Sequence, residues 1–351
     1  MPHYILVLNP GSTSTKMALF DDDAPRTSTI LRHDPAALRE YPAIWDQFPF
    51  RLEAARAWAS ALPQRPDAVV GMGGLLRPLG GGTYRVNDAM LSDARGNRQG
   101  EHASNLGCAM ADSLAHEFGC AAFVVDPVSV DEMEPPARYS GHPLIARSAL
   151  SHALNLHAAA RRAAAELGVP LPSTSFVIAH LGGGISVAPV RGGKIIDVND
   201  ASSDGPFSPE RTGGLPLQQF ITLACSGTYS EQELRALVRG NGGLTAYLGT
   251  NSAVEVERRI AAGDTAARAV YDAMAYQIAK EIGAMATVVA GRLDAVILTG
   301  GLAASAMLTG EIARRVRFLG RVVLYPGEDE MRSLAEGALR VLRGESTPEH
   351  Y

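Results

Sequence analysis

The chain has 351 residues, 46% of them hydrophobic and 20% charged, with a formal net charge of −5. That length suits about two domains with large buried cores, and the absence of a basic tail or Lys/Arg cluster argues against nucleic acid as the main partner. The cysteines Cys108, Cys120 and Cys225 are odd in number and far apart, which fits neither a disulfide framework nor a zinc site and suits reduced thiols.

The N-terminus enters directly into Tyr4–Phe20, YILVLNPGSTSTKMALF, without the charged-then-apolar pattern of a signal peptide. No apolar stretch reaches membrane-spanning length, so a cytoplasmic protein without membrane association is expected. Two apolar runs, Ile5–Leu8 and Met17–Phe20, flank a polar turn and predict a β-hairpin. Asn9, Gly11, Ser12, Thr13, Ser14, Thr15 and Lys16 crowd its corner. Hydroxyls, free N–H groups and a lysine suit phosphate oxygens, although the same residue types are ordinary in turns. Asp21–Ala24 reads as an acidic turn, and residues 34–62 as partly helical with Pro42 and Pro49 as interruptions.

Asp67–Gly71 carries a short apolar strand that runs into GMGGLLRPLGGG. So many glycines imply close backbone approach to a ligand or to another segment. Tyr84–Val86 reads as a short strand. EHASN at Glu101–Asn105 opens a helix through Phe118, with Leu106, Met110, Leu114 and Phe118 at helical spacing. Ala122–Asp126 is a buried strand ending in an acid, the position at which α/β folds hold ligands, or a turn cap before Pro127. Residues 148–167 predict an alanine-rich helix stopped by Gly168 and Pro170, with His152 and Asn155 on one face.

The opening pattern then recurs. Phe176–His180 is a strand, LGGG at Leu181–Gly184 a turn, and Ile185–Val190 a second strand, with Lys194–Val198 a third. The recurrence lies about half a chain along and predicts two similar domains, each offering a hairpin turn to a ligand between them. The loop DASSDGPFSPERTGGLP, Asp200–Pro216, holds Arg211 beside paired glycines, a charged fork suited to phosphate or carboxylate. Short helices are predicted at 231–239 and 253–262, and a long one over Arg268–Ala290 whose apolar stripe is core. Asp294–Gly301 is a buried strand ending in Thr-Gly-Gly and followed by a helix, a turn that suits a nucleotide. Val322–Tyr325 is the last strand, and PGEDEM brings acids to the start of the final helix, where they favour the helix dipole or hold Mg²⁺.

Taken together these parts suit phosphoryl transfer. There is no GxxxxGK[ST], no HRD or DFG set and no GxSxG, so a P-loop enzyme, a protein kinase and an α/β-hydrolase are set aside.

NPGSTSTK, GGLL-P-GGTY, GEHASNLG, AHLGGGISV, GPFSPERTGGLP and YPGEDEM, in that order, resemble the butyrate kinases of the acetate kinase family, and the likeness runs from Ile5 to about Gly344. The resemblance implies a mixed α/β fold of duplicated ribonuclease-H-like domains, as in actin, Hsp70 and sugar kinases. It implies a first domain of residues 1–150 plus a C-terminal helix over about 331–351, on the acyl-substrate side. The second domain is then 151–330, on the nucleotide side. It also implies ATP, Mg²⁺ and a small carboxylate giving an acyl phosphate by direct in-line transfer, in a homodimer or larger homo-oligomer.

Residue by residue, Asn9, Ser12, Ser14 and Lys16 resemble the family's first phosphate and metal turn. Gly182, Gly183 and Gly184 resemble the second, and Thr299, Gly300 and Gly301 the adenosine-side turn. His152 and Arg211 fall on the pair that stabilises the phosphoryl group in flight. Asp126 matches the strand-end acid that positions metal or the catalytic Arg, and His102 with Asn105 the His-bearing helix start. Glu330 is the matched metal-linked acid, with Glu328 as its rival. Acetate kinases carry Asn at Gly183 and a base beside the loop that here reads Gly71-Met72-Gly73-Gly74. With no base at Met72, Arg77 is the candidate for the substrate carboxylate beside Gly73 and Gly74. The expected substrate is butyrate or a branched relative such as isobutyrate. A sugar or alcohol kinase using Asp126 as base, and a nucleotide-dependent switch, are the alternatives.

Overall fold

The computed structural model describes residues 2–327 and 329–351. The chain divides into two compact units, residues 1–131 with 329–351, and residues 132–328. Residues 132–150, assigned to the first half from sequence, cluster with the second.

The first unit holds β1 (Tyr4–Pro10), β2 (Ser14–Asp21), β3 (Ala24–Arg32), β4 (Ala68–Met72), β5 (Thr83–Arg85) and β6 (Ala121–Val125), in the order β3-β2-β1-β4-β6-β5. β1 runs antiparallel to β2 and parallel to β4, which is parallel to β6. Ile5 to Leu8 are wholly buried, because both faces of the sheet are covered. Leu6, Leu8 and Val124 join the core under the helix Leu106–Phe118, while Val125 meets Gly337 of the C-terminal helix Glu330–Leu342 on the other face. Gly71 and Gly107 make the first packing possible: a Cβ on Gly71 would sit 2.1 Å from the Gly107 carbonyl oxygen.

The second unit contains the exposed hairpin β7 (Tyr139–His142) and β8 (Ile145–Ala146). Its main sheet is built of β9 (Ser175–Leu181), β10 (Ile185–Arg191), β11 (Lys194–Ile195), β12 (Ala295–Gly300) and β13 (Val322–Pro326), in the order β11-β10-β9-β12-β13. β9 runs antiparallel to β10 and parallel to β12, which is parallel to β13. Omitting the short edge strand β5, this repeats the first sheet strand for strand. Val177, Ala179, Leu181, Val296 and Leu298 pack under the helices Thr265–Val288 and Ala306–Val316.

Three local expectations change. Pro49 sits in the first turn of the helix Phe48–Ser60, where its missing N–H costs nothing, so it starts the helix instead of interrupting it. The alanine-rich helix begins at Ala153, not at residue 148, because His152 leaves helical geometry with φ −80 and ψ 57. The stretch after the acidic turn is a full strand, β3, which the sequence reading did not contain. Among the described residues no helix is long and apolar enough to cross a membrane.

Candidate active site

In the first unit, residues 11–13 join β1 to β2. Asn9 and Lys16 are register partners across the hairpin. Asn9 is nearly buried, and its Nδ2 donates to Glu330 Oε2 at 2.7 Å. Glu330 is the first residue of the C-terminal helix, so the helix start and the polar turn share one corner. Ser12 and Lys16 are exposed, and Ser14 is half-buried. Glu328 lies outside the described residues.

Asp126 is buried in the left-handed region at φ 39, a strained backbone that Asp tolerates better than most residues. Its Oδ1 accepts the Gly82 N–H at 2.7 Å, and its own N–H donates to the Gly82 carbonyl at 2.9 Å. The glycines after β4 are explained by packing. A Cβ on Gly73 would meet Pro127 at 2.4 Å, and one on Gly74 would meet Asn105 at 2.2 Å. Asn105 Oδ1 accepts the Leu75 N–H at 2.8 Å and so staples that loop to the helix start. His102 caps the same start, its Nδ1 accepting the Ser104 N–H at 3.2 Å.

Arg77 has different partners from those expected of a substrate ligand. Its Nε donates to buried Asp93 at 2.8 Å, and its guanidinium stacks 4.5 Å over the Tyr351 ring.

In the second unit, His152, Arg211 and the turn 182–184 come together. His152 Nδ1 lies 3.0 Å from Ser186 Oγ, and its ring stacks on His180 at 4.1 Å between centroids. Ser186 and His180 are register partners on β10 and β9, so the hairpin itself sets this arrangement. The His152 backbone N–H also donates to Ser186 Oγ, at 3.4 Å. Ser186 Oγ has a second lone pair as well as its own hydrogen, so it can partner Nδ1 in either tautomer of the ring. Burial, then His180, then the Arg211 charge hold the His152 pKa well below the ordinary histidine value.

Arg211 lies against Gly184: a Cβ there would sit 2.3 Å from Nη1. Nη1 donates to the Ala201 carbonyl at 2.7 Å, while Nε is buried with no hydrogen bond. Burial and the neighbouring Arg239 lower its pKa, against the opposing pull of the Glu210 and Asp200 carboxylates. Ser208 Oγ donates to the Gly183 carbonyl and receives the Arg211 N–H at 3.2 Å, tying the loop to the turn. Gly182, Gly183 and Gly301 line a 340 Å³ cavity with Pro209, Glu210, Asn251 and Leu302. Gly300 is needed at φ 93, where a Cβ would meet the Leu181 carbonyl oxygen at 2.4 Å. Thr299 is buried beside His180 in register.

Sequence reasoning missed His180, Ser186, Glu210, Asn251 and Arg51. AHLGGG contained the first, but its role needs His152 beside it. Arg51, considered below, carried no signal, since an arginine in a helix normally reads as surface.

The donor set at Asn9 and Glu330 fits a hard divalent cation that keeps most of its waters and shares phosphate oxygens. Among the described residues no cluster of three or more His, Cys, Asp or Glu forms a dedicated metal cage.

The acetokinase family profile matches residues 145–332. The chain is 49% identical over 348 residues to the probable butyrate kinase of Listeria innocua, covering 98% of each chain. It is 47% identical to butyrate kinase 2 of Clostridium acetobutylicum, covering all of both. Among solved structures, the acetate kinase of Porphyromonas gingivalis superposes with a TM-score of 0.75 at 18% identity, covering 97% of this chain and 100% of that one. The fold is therefore the duplicated ribonuclease-H-like architecture expected from the sequence. From its full-length relatives and the family profile together, the chain belongs to the acetokinase family.

Proposed function

We propose that the protein transfers the terminal phosphoryl group of ATP, as its Mg²⁺ complex, to the carboxylate of butyrate or a branched relative such as isobutyrate. The products are an acyl phosphate and ADP, and the reaction is reversible. Full-length relatives named butyrate kinase support the substrate class. The observation that carries the chemistry is the pairing of neutral His152 with Arg211, whose buried Nε has no hydrogen bond, beside the glycine turn 182–184.

In this reading Arg211 and the His152 Nε2–H donate to the equatorial oxygens of the moving phosphoryl group. Donors fixed before the reaction stabilise charge that grows only in the transition state. Gly182 and Gly183, with Thr299, Gly300 and Gly301, serve the nucleotide. Ser12, Ser14 and Lys16 serve phosphate oxygens. Asn9 and Glu330 would hold the metal, which neutralises phosphate charge when bound.

A carboxylate acceptor is ionised at neutral pH and needs no general base. Asp126, buried and already accepting the Gly82 N–H, is poorly disposed to act as one, which disfavours a sugar or alcohol acceptor. The enzyme works in the cytoplasm as a homodimer or larger homo-oligomer, which light scattering measures.

Hydroxylamine trapping with ATP, Mg²⁺ and straight and branched acids of two to five carbons tests the activity. Four-carbon acids should give hydroxamate fastest. Neighbours should react too, since one methylene changes binding by only about 1–3 kcal/mol. Trapping with none of them, or a strong preference for acetate, sinks the assignment.

A further inference from the structure

Arg51 lies in the helix Phe48–Ser60 and has none of its surface exposed. A buried arginine normally pairs with a carboxylate, because its charge cannot be shed. Among the described residues no carboxylate pairs with this one. Its Nε and Nη2 donate to Gln47 Oε1 at 3.0 and 2.8 Å. Nη1 donates to the Gly11 carbonyl at 2.8 Å and the Ser14 carbonyl at 3.3 Å, and Nη2 to the Ser12 carbonyl at 3.0 Å. The backbone N–H of His33 takes the Thr13 carbonyl at 2.9 Å.

Every carbonyl oxygen from Gly11 to Ser14 is thus turned into the protein. On its other side the turn offers the N–H groups of Ser12 and Thr13, which have no acceptor among the described residues, and the hydroxyls of Ser12, Thr13 and Ser14, which can also donate. A loop with carbonyls inward and N–H groups outward is an anion-binding concavity. Here a cation whose own partners are all neutral oxygens lies directly beneath it. Its field is not cancelled locally, so it reaches the turn's outer side.

We infer that Arg51 is a positioning residue that shapes the Gly11–Ser14 turn into a polyphosphate cradle and draws the anion there with its unneutralised charge. This rests on the kinase reading only for the identity of the anion. The discriminating variant is Gln47→Glu, which keeps the acceptor for Nε and Nη2 but adds the missing counter-charge. A clamp that only holds the fold together gains from that change, whereas a charge acting on the anion is cancelled by it.

Calorimetric titration with inorganic tripolyphosphate should show Gln47→Glu weakening binding on the order of tenfold. Its thermal midpoint should be no lower than wild type. The KM for ATP should rise in parallel, while the KM for the acid stays within about twofold. Gln47→Met, which leaves the charge in place, should bind tripolyphosphate within about threefold of wild type. Equal affinity of wild type and Gln47→Glu, or an equal loss in Gln47→Met, overturns the inference. Should Gln47→Glu fail to fold, Arg51→Lys replaces it. Lysine keeps the charge but gathers three donors on one nitrogen, so it cannot reproduce the fork that spans Gln47 and three carbonyls, and unchanged tripolyphosphate affinity in that variant overturns the positioning role. A wild type that binds tripolyphosphate, with Gln47→Glu weakened, yet yields no acyl phosphate supports the cradle and sinks the kinase assignment.

Discussion

The Arg211 guanidinium lies on the backbone of Gly184, so close that a Cβ on that glycine would stand 2.6 Å from Cζ. The nearest atoms are the far end of a flexible side chain, not backbone, so an added methyl displaces the guanidinium without unfolding the sheet. Gly184→Ala should therefore behave as a catalytic variant at a residue with no functional group. We expect kcat to fall on the order of 10²–10³-fold, the scale of losing one preplaced transition-state donor. Arg211→Ala should fall comparably, and the double variant little further, since both remove one interaction. Hydroxamate kinetics with a thermal melt check this; near wild-type turnover in Gly184→Ala refutes the role given to the contact.

His152 gives a pH prediction with a definite sign. Burial, His180 and Arg211 hold its folded pKa well below the ordinary value. The unfolded chain titrates near pH ~6.5, so below that pH it binds more protons than the folded one. Stability should fall as pH drops below about 6.5 and be flat above it as far as this residue is concerned. His33, lowered by burial and by Arg51, adds a contribution of the same sign. Thermal midpoints between pH 5 and 8 should show this slope, and His152→Gln should reduce it. An unchanged slope in His152→Gln means the ring is not held neutral as described.

The duplicated core was legible because each hairpin pairs continuous apolar strands with a short polar or glycine turn. β3 was not, since APRTSTILR is an exposed edge strand with little apolar alternation to mark it. The glycines of GMGG read correctly as close approaches, but only the fold shows that they meet Asn105 and Pro127. His152 and Arg211 were singled out through ordered motifs, whereas Ser186 and His180 stand beside His152 because strand register sets them opposite each other. Arg51 differs from a surface arginine only in what surrounds it, and sequence spacing does not encode that.

Glu330 carries a prediction about metal dependence. Its Oε2 accepts the Asn9 amide, which orients the carboxylate at the helix start next to the polar turn. Glu330→Gln keeps the size and removes the charge that attracts a divalent cation. Half-maximal activation should require on the order of 10–100 times more Mg²⁺, the usual scale for losing a partner at a metal site. Asn9→Ala should move the requirement the same way by less, because it removes a neutral oxygen donor and the amide that orients the carboxylate but leaves the charge. Magnesium titrations of initial rate at saturating ATP read both, and an unmoved midpoint in Glu330→Gln removes the residue from the metal site.

Arg77 separates a structural cation from a substrate ligand. Asp93 is buried, and it accepts from Arg77 Nε at 2.8 Å and from the Tyr351 hydroxyl at 2.9 Å. The Arg77 N–H donates in turn to that hydroxyl at 3.0 Å, closing a three-residue knot around the carboxylate. Arg77→Met keeps the apolar stem over the Tyr351 ring but leaves Asp93 short of a donor, and Tyr351→Phe does the same from the other side. A buried carboxylate that loses a charged donor is destabilising. Both variants should lower the thermal midpoint, while the KM for the acid stays within about twofold of wild type. A large rise in that KM for Arg77→Met, with the midpoint unmoved, would instead assign this arginine to the substrate carboxylate.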